Sequence, residues 1–269
     1  MSRIARPRHY LMCKPTFFDV RYSINPWMDP SLATSNSAAL GQWKWVHDLL
    51  VDLGHHVEHI QPIPDLPDMV FAANGATVVD GKALVARFRH AERADEAPAY
   101  VEWFRRNGFR EVRQAAYVNE GEGDFLTAGR HILAGSGFRS DPAACREVAE
   151  FFGREVLALN LVDPRFYHLD TALAVLDDDE IMYNPRAFCP ESRDLLAQHY
   201  PDALLVDEED ALGFGLNAVS DGLHVVVSDK VVRLGAQLAE RGFHVIGTDT
   251  TELMKSGGSV KCCTLEIRR

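Results

Sequence analysis

The feature that most restricts the fold of this chain is a recurring order of elements. Two short strands, an amphipathic helix and a third strand follow one another about five times, at intervals of roughly 50 to 55 residues, a period at which repeat architectures arise. The helices can be read from their punctuation. SAALGQWKWVHDLLVDL is closed by Gly54, DEAPAYVEWFRRN by Gly108, and DPAACREVAEFF carries Pro142 in its first turn with Gly153 behind it. PESRDLLAQHY starts at Pro190, and DKVVRLGAQLAER is opened by Asp229 and closed by Gly242. Each helix is followed by an extended segment: HHVEHI, REVRQ, REVLAL, ALLVD or FHVIGT. Most are preceded by a strand pair: ATVVDGKALVAR, DFLTAGRHILAG, AVLDDDEIMYN or GLHVVVS. Asp80-Gly81 and Asp221-Gly222 suit the positive-φ positions of tight hairpins. DMVF and ALLVD are continuous apolar runs that periodicity cannot assign, and their length makes them strands. The repeats share a pattern and no clear sequence identity, and no linker or low-complexity stretch divides them, so residues 1–269 are expected to form one domain.

Composition narrows the function. With 46% hydrophobic and 25% charged residues the chain is an ordinary globular one with a sizeable core. Its formal charge of −11 disfavours nucleic acid and anionic membranes as partners and suits a small cation. Five scattered cysteines without CxxC spacing fit reduced thiols, hence a cytoplasmic location. The apolar start of the chain is broken by Lys14 and Pro15, so neither a secretory signal nor a membrane span is expected there. No GxGxxG, Walker glycine loop or GxSxG elbow occurs, which leaves nucleotide and serine chemistry without support. His55-His56 with Glu58 hints at a metal. On a strand such residues alternate between faces, and a solvated strand edge is the better reading.

A thiol chemistry has more support. GGSVKCCT, residues 257 to 264, brings a cysteine pair up behind glycines that let backbone approach a ligand closely. A nucleophilic cysteine needs a base and a group to orient that base. FYHLDT supplies His168 and Asp170, and NEGEGD supplies Glu120, Glu122 and Asp124. Taken alone, a CC dipeptide reads more simply as part of a buried C-terminal strand.

Together, five strand-rich modules, the Glu-Gly-x-Gly-Asp segment, the HLDT segment and the glycine-rich C-terminal cysteine resemble the guanidine-modifying penteins, over nearly the whole chain and in the family's order. These are the arginine deiminases, dimethylarginine dimethylaminohydrolases, arginine dihydrolases and amidinotransferases. The resemblance implies an α/β-propeller with five-fold pseudo-symmetry, built of ββαβ-type modules and working without a cofactor. It makes Cys262, two residues before Thr264, the nucleophile that attacks a guanidinium carbon. Cys263 is then structural, its side chain on the opposite strand face. His168 becomes the general acid and base, and Glu120 the carboxylate holding the imidazole or the guanidinium nitrogens. Glu122, in the variable place, is expected to be solvated, and Asp124 to support backbone.

Substrate residues follow from the same resemblance. Asn74 stands where deiminases and dimethylarginine hydrolases usually have Asp, as in the arginine dihydrolases, and its amide can bond both a guanidinium and a neutral ureido group. Asp170 suits free guanidinium N–H groups, which dimethylated nitrogen lacks. Arg93 and Arg139 align with arginines that grip an α-carboxylate, with Arg87 or Arg89 able to replace Arg93 in a loose alignment. Asn25, in an Asn-Pro turn, matches a loop residue that meets substrate. The expected function is hydrolysis of free L-arginine to ornithine, two ammonia and carbon dioxide, with single hydrolysis to citrulline or dimethylarginine hydrolysis as alternatives. A non-catalytic arginine-binding module is the reading from another class. A small molecule is the expected partner, and a homo-oligomer is left open.

Overall fold

The computed structural model describes residues 3–269. Its strands form five three-stranded sheets, each a ββαβ module. In the first, β1 (His9–Cys13) runs parallel to β2 (His56–Ile60), with helix Asn36–Asp52 between them. The second joins β3 (Ala76–Val79) and β4 (Lys82–Val85) as a hairpin and adds β5 (Glu111–Gln114) in parallel, after helix Ala97–Arg106. The third repeats this with β6 (Phe125–Ala128), β7 (His131–Ser136), helix Pro142–Phe152 and β8 (Glu155–Asn160). The fourth has β9 (Leu173–Asp177), β10 (Glu180–Tyr183), helix Pro190–His199 and β11 (Leu204–Leu205). The fifth has β12 (Val219–Ser220), β13 (His224–Ser228), helix Val232–Glu240 and β14 (His244–Thr248). The chain end then returns as β15 (Leu265–Glu266), antiparallel to β1, so the first module takes its innermost strand from the C-terminus. The modules thus make the five-fold α/β-propeller that the resemblance implies.

Burial falls from the inner strand of a module to its outer one. β3 is buried at every position and β5 at none. Inner strands touch their counterparts in the next module, β6 with β9, β9 with β12 and β15 with β3, and are covered on both faces. That is why they read as continuous apolar runs, whereas outer strands, one face of which meets solvent, are mixed.

Local chemistry explains most element ends. Ser35 caps helix Asn36–Asp52 by accepting from the Ala38 N–H, and Gly153 ends helix Pro142–Phe152 in the left-handed region at φ 66°. Asp80 (φ 51°) and Gly81 (φ 74°) make the β3–β4 hairpin turn, while in Asp221-Gly222 only the glycine is left-handed and the aspartate side chain accepts from the Leu223 and His224 N–H groups. Two expectations fail. Asp229 does not open the last long helix, because its N–H donates to the Thr248 carbonyl and the helix begins at Val232. DMVF is no strand. Pro67 starts a 3₁₀ turn over Pro67–Val70, and the Asp68 carboxylate is taken by the Tyr22 and Ser256 hydroxyls. Among the described residues no helix is long and apolar enough to cross a membrane.

Ring closure rests on Leu265, which has no exposed surface, whereas Leu205 on outer strand β11 is 55% exposed. Leu265→Ala should therefore lower stability by about 2–5 kcal/mol in urea titrations, and Leu205→Ala by well under about 1 kcal/mol.

Candidate active site

In an antiparallel hairpin the start of the first strand and the end of the second lie at the same end. Five modules therefore bring two sets of loops to one end of the propeller. The segments entering the inner strands carry Asn74, Glu120, His168, Asp170, Asn217 and Cys262. The loops after the second strands carry Asn25, Arg93 and Arg139. All nine side chains are buried.

Cys262 sits in a turn that ends before β15, not on the strand. Strand alternation therefore does not separate it from Cys263. Their partners do. The Cys262 sulfur donates to Asp170 Oδ2 (3.3 Å) and receives Asn217 Nδ2 (3.1 Å), while Cys263 is known in the hydrogen-bond network only through its backbone N–H, given to Val260. The Asn217 amide also accepts from the Ser259 N–H (3.2 Å) and the Cys262 N–H (3.1 Å) and donates to the Asp170 carbonyl (3.0 Å). One side chain thus fixes both the turn and the sulfur.

Burial, with the Asp170 carboxylate beside it, pushes the Cys262 thiol well above its ordinary range. Burial likewise raises Asp170 to about 7, against the lowering pull of Lys261 and of hydrogen bonds from Cys262 and Asn217. Asp170 Oδ1 has no hydrogen-bond partner. A buried, unpartnered carboxylate oxygen beside a thiol is an arrangement that an N–H donor from a cation would complete.

His168 precedes the short helix Leu169–Ala172, and its Nε2 lies 2.8 Å from Glu120 Oε2. The same Glu120 oxygen receives Arg139 Nη1 at 2.6 Å. Burial acts to raise Glu120, but Arg139, His168 and Arg93 outweigh it and hold the carboxyl well below its usual range. Burial depresses His168 to about 4 despite the Glu120 hydrogen bond. The imidazole is neutral at pH 7, with its proton on Nε2 facing the carboxylate. Nδ1 is left buried and without a partner.

The Asn74 Oδ1 accepts from Arg93 Nη1 at 2.7 Å, and its Nδ2 is 3.5 Å from the Glu120 carbonyl. Arg93 is further held by the Glu96 carboxylate at 2.8 and 3.0 Å. It is this arginine, not its neighbours, that reaches the site: Arg89 pairs with Asp141 and Arg87 bonds the Ala116 carbonyl. Arg139 also reaches the Ile24 carbonyl (2.9 Å) and stacks 4.7 Å over Tyr167. Asn25 donates to the Ser256 carbonyl (3.1 Å), and Tyr167 donates to that of Gly257 (2.7 Å).

The two glycines before the cysteines serve packing, not a ligand. Gly257 has φ 86°, and a Cβ there would stand 2.7 Å from the Tyr167 hydroxyl; at Gly258 it would stand 2.3 Å from Phe71. Glu122 is not solvated as expected. It is fully buried, paired with Arg268 and with Lys261 (2.9 Å), and accepts the Glu266 N–H. With three donors converging on it, the side chain has more to bond inside than outside. Asp124 accepts from Ser140 (2.6 Å) and from the Leu169 N–H (3.2 Å). Sequence reading missed Asn217. Asn217 stands two residues before β12, as Asn74 stands two before β3, so the module register was the signal that could have found it.

No protein-family model matches the chain. Over 265 residues, 98% of its length, it is 51% identical to N(G),N(G)-dimethylarginine dimethylaminohydrolase of Mycobacterium tuberculosis and covers 87% of that protein. The chain belongs to the guanidine-modifying pentein superfamily. It is also 38% identical, over 96% of its length, to the bifunctional arginine dihydrolase/ornithine cyclodeaminase ArgZ of Synechocystis, spanning 37% of that longer protein. The solved N-terminal domain of ArgZ, in a cysteine-to-serine variant bound to substrate, superposes with a TM-score of 0.94 at 36% identity, covering 97% of this chain and 98% of that one. A dimethylarginine dimethylaminohydrolase adduct with S-methyl-L-thiocitrulline, 19% identical with a TM-score of 0.81 over 97% of this chain and 100% of that one, shares the fold. As a member of this pentein group the protein is a hydrolase of guanidino C–N bonds.

Asp170→Asn removes the charge that, after burial, most raises the Cys262 thiol. The thiol pKa should fall, so that thiolate ultraviolet absorbance in the ligand-free protein appears at lower pH than in wild type. An unchanged titration curve would show that Asp170 does not bear on the thiol.

Proposed function

We propose that this protein hydrolyses free L-arginine twice, to ornithine, two ammonia and carbon dioxide, through a covalent intermediate on Cys262, with the whole chain acting as one catalytic domain. The Cys262 thiolate attacks the guanidinium carbon. His168 first takes the thiol proton on its unpartnered Nδ1, then delivers that proton to the ammonia as it leaves, and finally takes one from the water that releases the carbon as citrulline. A second passage at the ureido carbon consumes another water and gives the remaining products. Glu120 orients the imidazole and Asn217 is a positioning residue for the sulfur. Arg93 and Arg139 supply the positive charge for the α-carboxylate, and Asn25 belongs to the loop that covers it.

The observation that carries the choice of arginine is the presence of both Asn74 and Asp170 in the site. Asp170 Oδ1 stands unpartnered in the core, and a free N–H group of a guanidinium can fill it. A dimethylated nitrogen would leave a buried charged group unpaired, at about 1–3 kcal/mol or more. The neutral Asn74 amide accommodates a ureido group as readily as a guanidinium, which supports retention of citrulline. The substrate-bound ArgZ domain, similar over 97% of the chain, favours the same reading. Dimethylarginine hydrolysis remains the second reading, because the relative at 51% identity bears that name.

Product analysis by mass spectrometry on arginine, citrulline and asymmetrically dimethylated arginine decides between them. Arginine should give ornithine and ammonia, with little dimethylamine from the methylated substrate. Efficient dimethylamine release overturns the proposal, and citrulline without ornithine reduces it to deimination. Asn74→Asp should shift product toward citrulline, since an added carboxylate favours the cation over the neutral intermediate.

Turnover assays on single variants test the chemistry itself. Cys262→Ser should abolish activity and Cys263→Ser leave most of it. His168→Ala should lower the rate by about two to four orders of magnitude with the fold intact by circular dichroism. An active His168→Ala enzyme would remove that residue from the mechanism.

A further inference from the structure

We propose that the outer edge of the first sheet carries a binding site for one borderline divalent metal ion, of the zinc, cobalt or nickel kind, formed by His9, His56 and Glu58. β1 and β2 run in parallel with His9 opposite His56 and Leu11 opposite Glu58. His56 and Glu58 are two apart on one strand and so share a face. His55, the histidine adjacent in sequence, turns inward, where its Nδ1 accepts from the Arg8 N–H at 3.0 Å. The histidine pair that suggested a metal is therefore not the ligand pair. The second imidazole comes from the neighbouring strand, which spacing along the sequence could not reveal.

The geometry suits a small ion. Glu58 Oε1 is 2.8 Å from His9 Nε2 and 3.5 Å from His56 Nε2, and one ligand atom from each residue lies within 4.8 Å of the others. Metal–ligand distances of about 2.0–2.1 Å place adjacent ligand atoms about 2.9 Å apart in an octahedron and about 3.4 Å apart in a tetrahedron. The two short separations are near those values, and the exposed His56 ring is free to close the third. His9 Nε2 is shielded from solvent and makes no well-directed hydrogen bond. Arg269 is the cation facing His9, and its guanidinium is drawn 5.0 Å over the Phe109 ring.

Two imidazoles and a carboxylate leave coordination positions for water. The ion would tie β1 to β2 beside the point where Ile267 donates to the His9 carbonyl at 2.7 Å, next to the strand that closes the propeller. Its effect is on stability.

Cobalt titration of the full chain, followed by visible absorption, tests this. Wild type should bind one Co²⁺ per chain with a spectrum lacking thiolate charge transfer, displaced by Zn²⁺, and Zn²⁺ should raise Tm. The double variant His56→Ala/Glu58→Gln should bind about ten-fold more weakly or worse and lose the Tm rise, while Cys262→Ser should bind as wild type does. A thiolate charge-transfer band that vanishes in Cys262→Ser would assign the ion to the thiol instead. That result, wild-type binding by the double variant, or no saturable binding at all would overturn the proposal.

Discussion

The constraint on which this structure depends is that the innermost strand of every module is covered on both faces, so the segments leading into those strands have nowhere to go but the axis. Polar groups carried there must find partners in each other, because unpaired burial costs about 1–3 kcal/mol per group and more for a charge. The partners come from different modules. Asn217 of the fifth module holds the Cys262 sulfur and turn, and Glu120 leading into the third holds His168 leading into the fourth. Site geometry and ring closure are therefore one problem. A displaced module takes its catalytic neighbour's hydrogen bond with it.

Much of the fold was legible because it was written as period and punctuation. Helix ends marked by Gly54, Pro142, Gly153 and Pro190 fall within a residue or two of their places, since each acts through its own backbone. What failed were readings that needed tertiary partners. Asp229 resembles a helix cap until the Thr248 carbonyl claims its N–H. Glu122 looks solvated until Lys261 and Arg268, far along the chain, arrive beside it. DMVF hides its one charged group, the Asp68 carboxylate that the Tyr22 and Ser256 hydroxyls satisfy, inside an apolar run. The same limit governed the site. Motifs pointed to single residues, but Asn217 lies in no motif and only module register gives it a place.

The electrostatics divide the carboxylates by role. Glu120 is held ionised by Arg139 and His168, and Glu122 by Arg268 and Lys261, so both have their charge balanced within the protein. Glu96 is raised to about 7 by burial even with Arg93 against it. Asp170 differs in having its lowering contacts spread over Lys261, a thiol and an amide, with one oxygen unpartnered. Such a group neither stays firmly ionised nor is fully satisfied. A cation bound beside it would lower it and shift the site's proton balance.

That response links binding to reactivity. In the ligand-free protein burial and Asp170 together keep Cys262 a thiol, which protects it from adventitious electrophiles. A guanidinium bonded to Asp170 Oδ1 brings positive charge within reach of both groups, lowering the carboxyl and the thiol together. In the proposed mechanism the thiolate then forms only where the carbon it attacks is already in place. A neutral ureido group brings no such charge, so a second hydrolysis must draw on another source of activation. The neutral His168, with Nδ1 free and Nε2 anchored on Glu120, is the remaining base that can take the thiol proton. In the proposed double hydrolysis the imidazole would take the thiol proton both times, assisted by the substrate's own charge in the first passage and unassisted in the second.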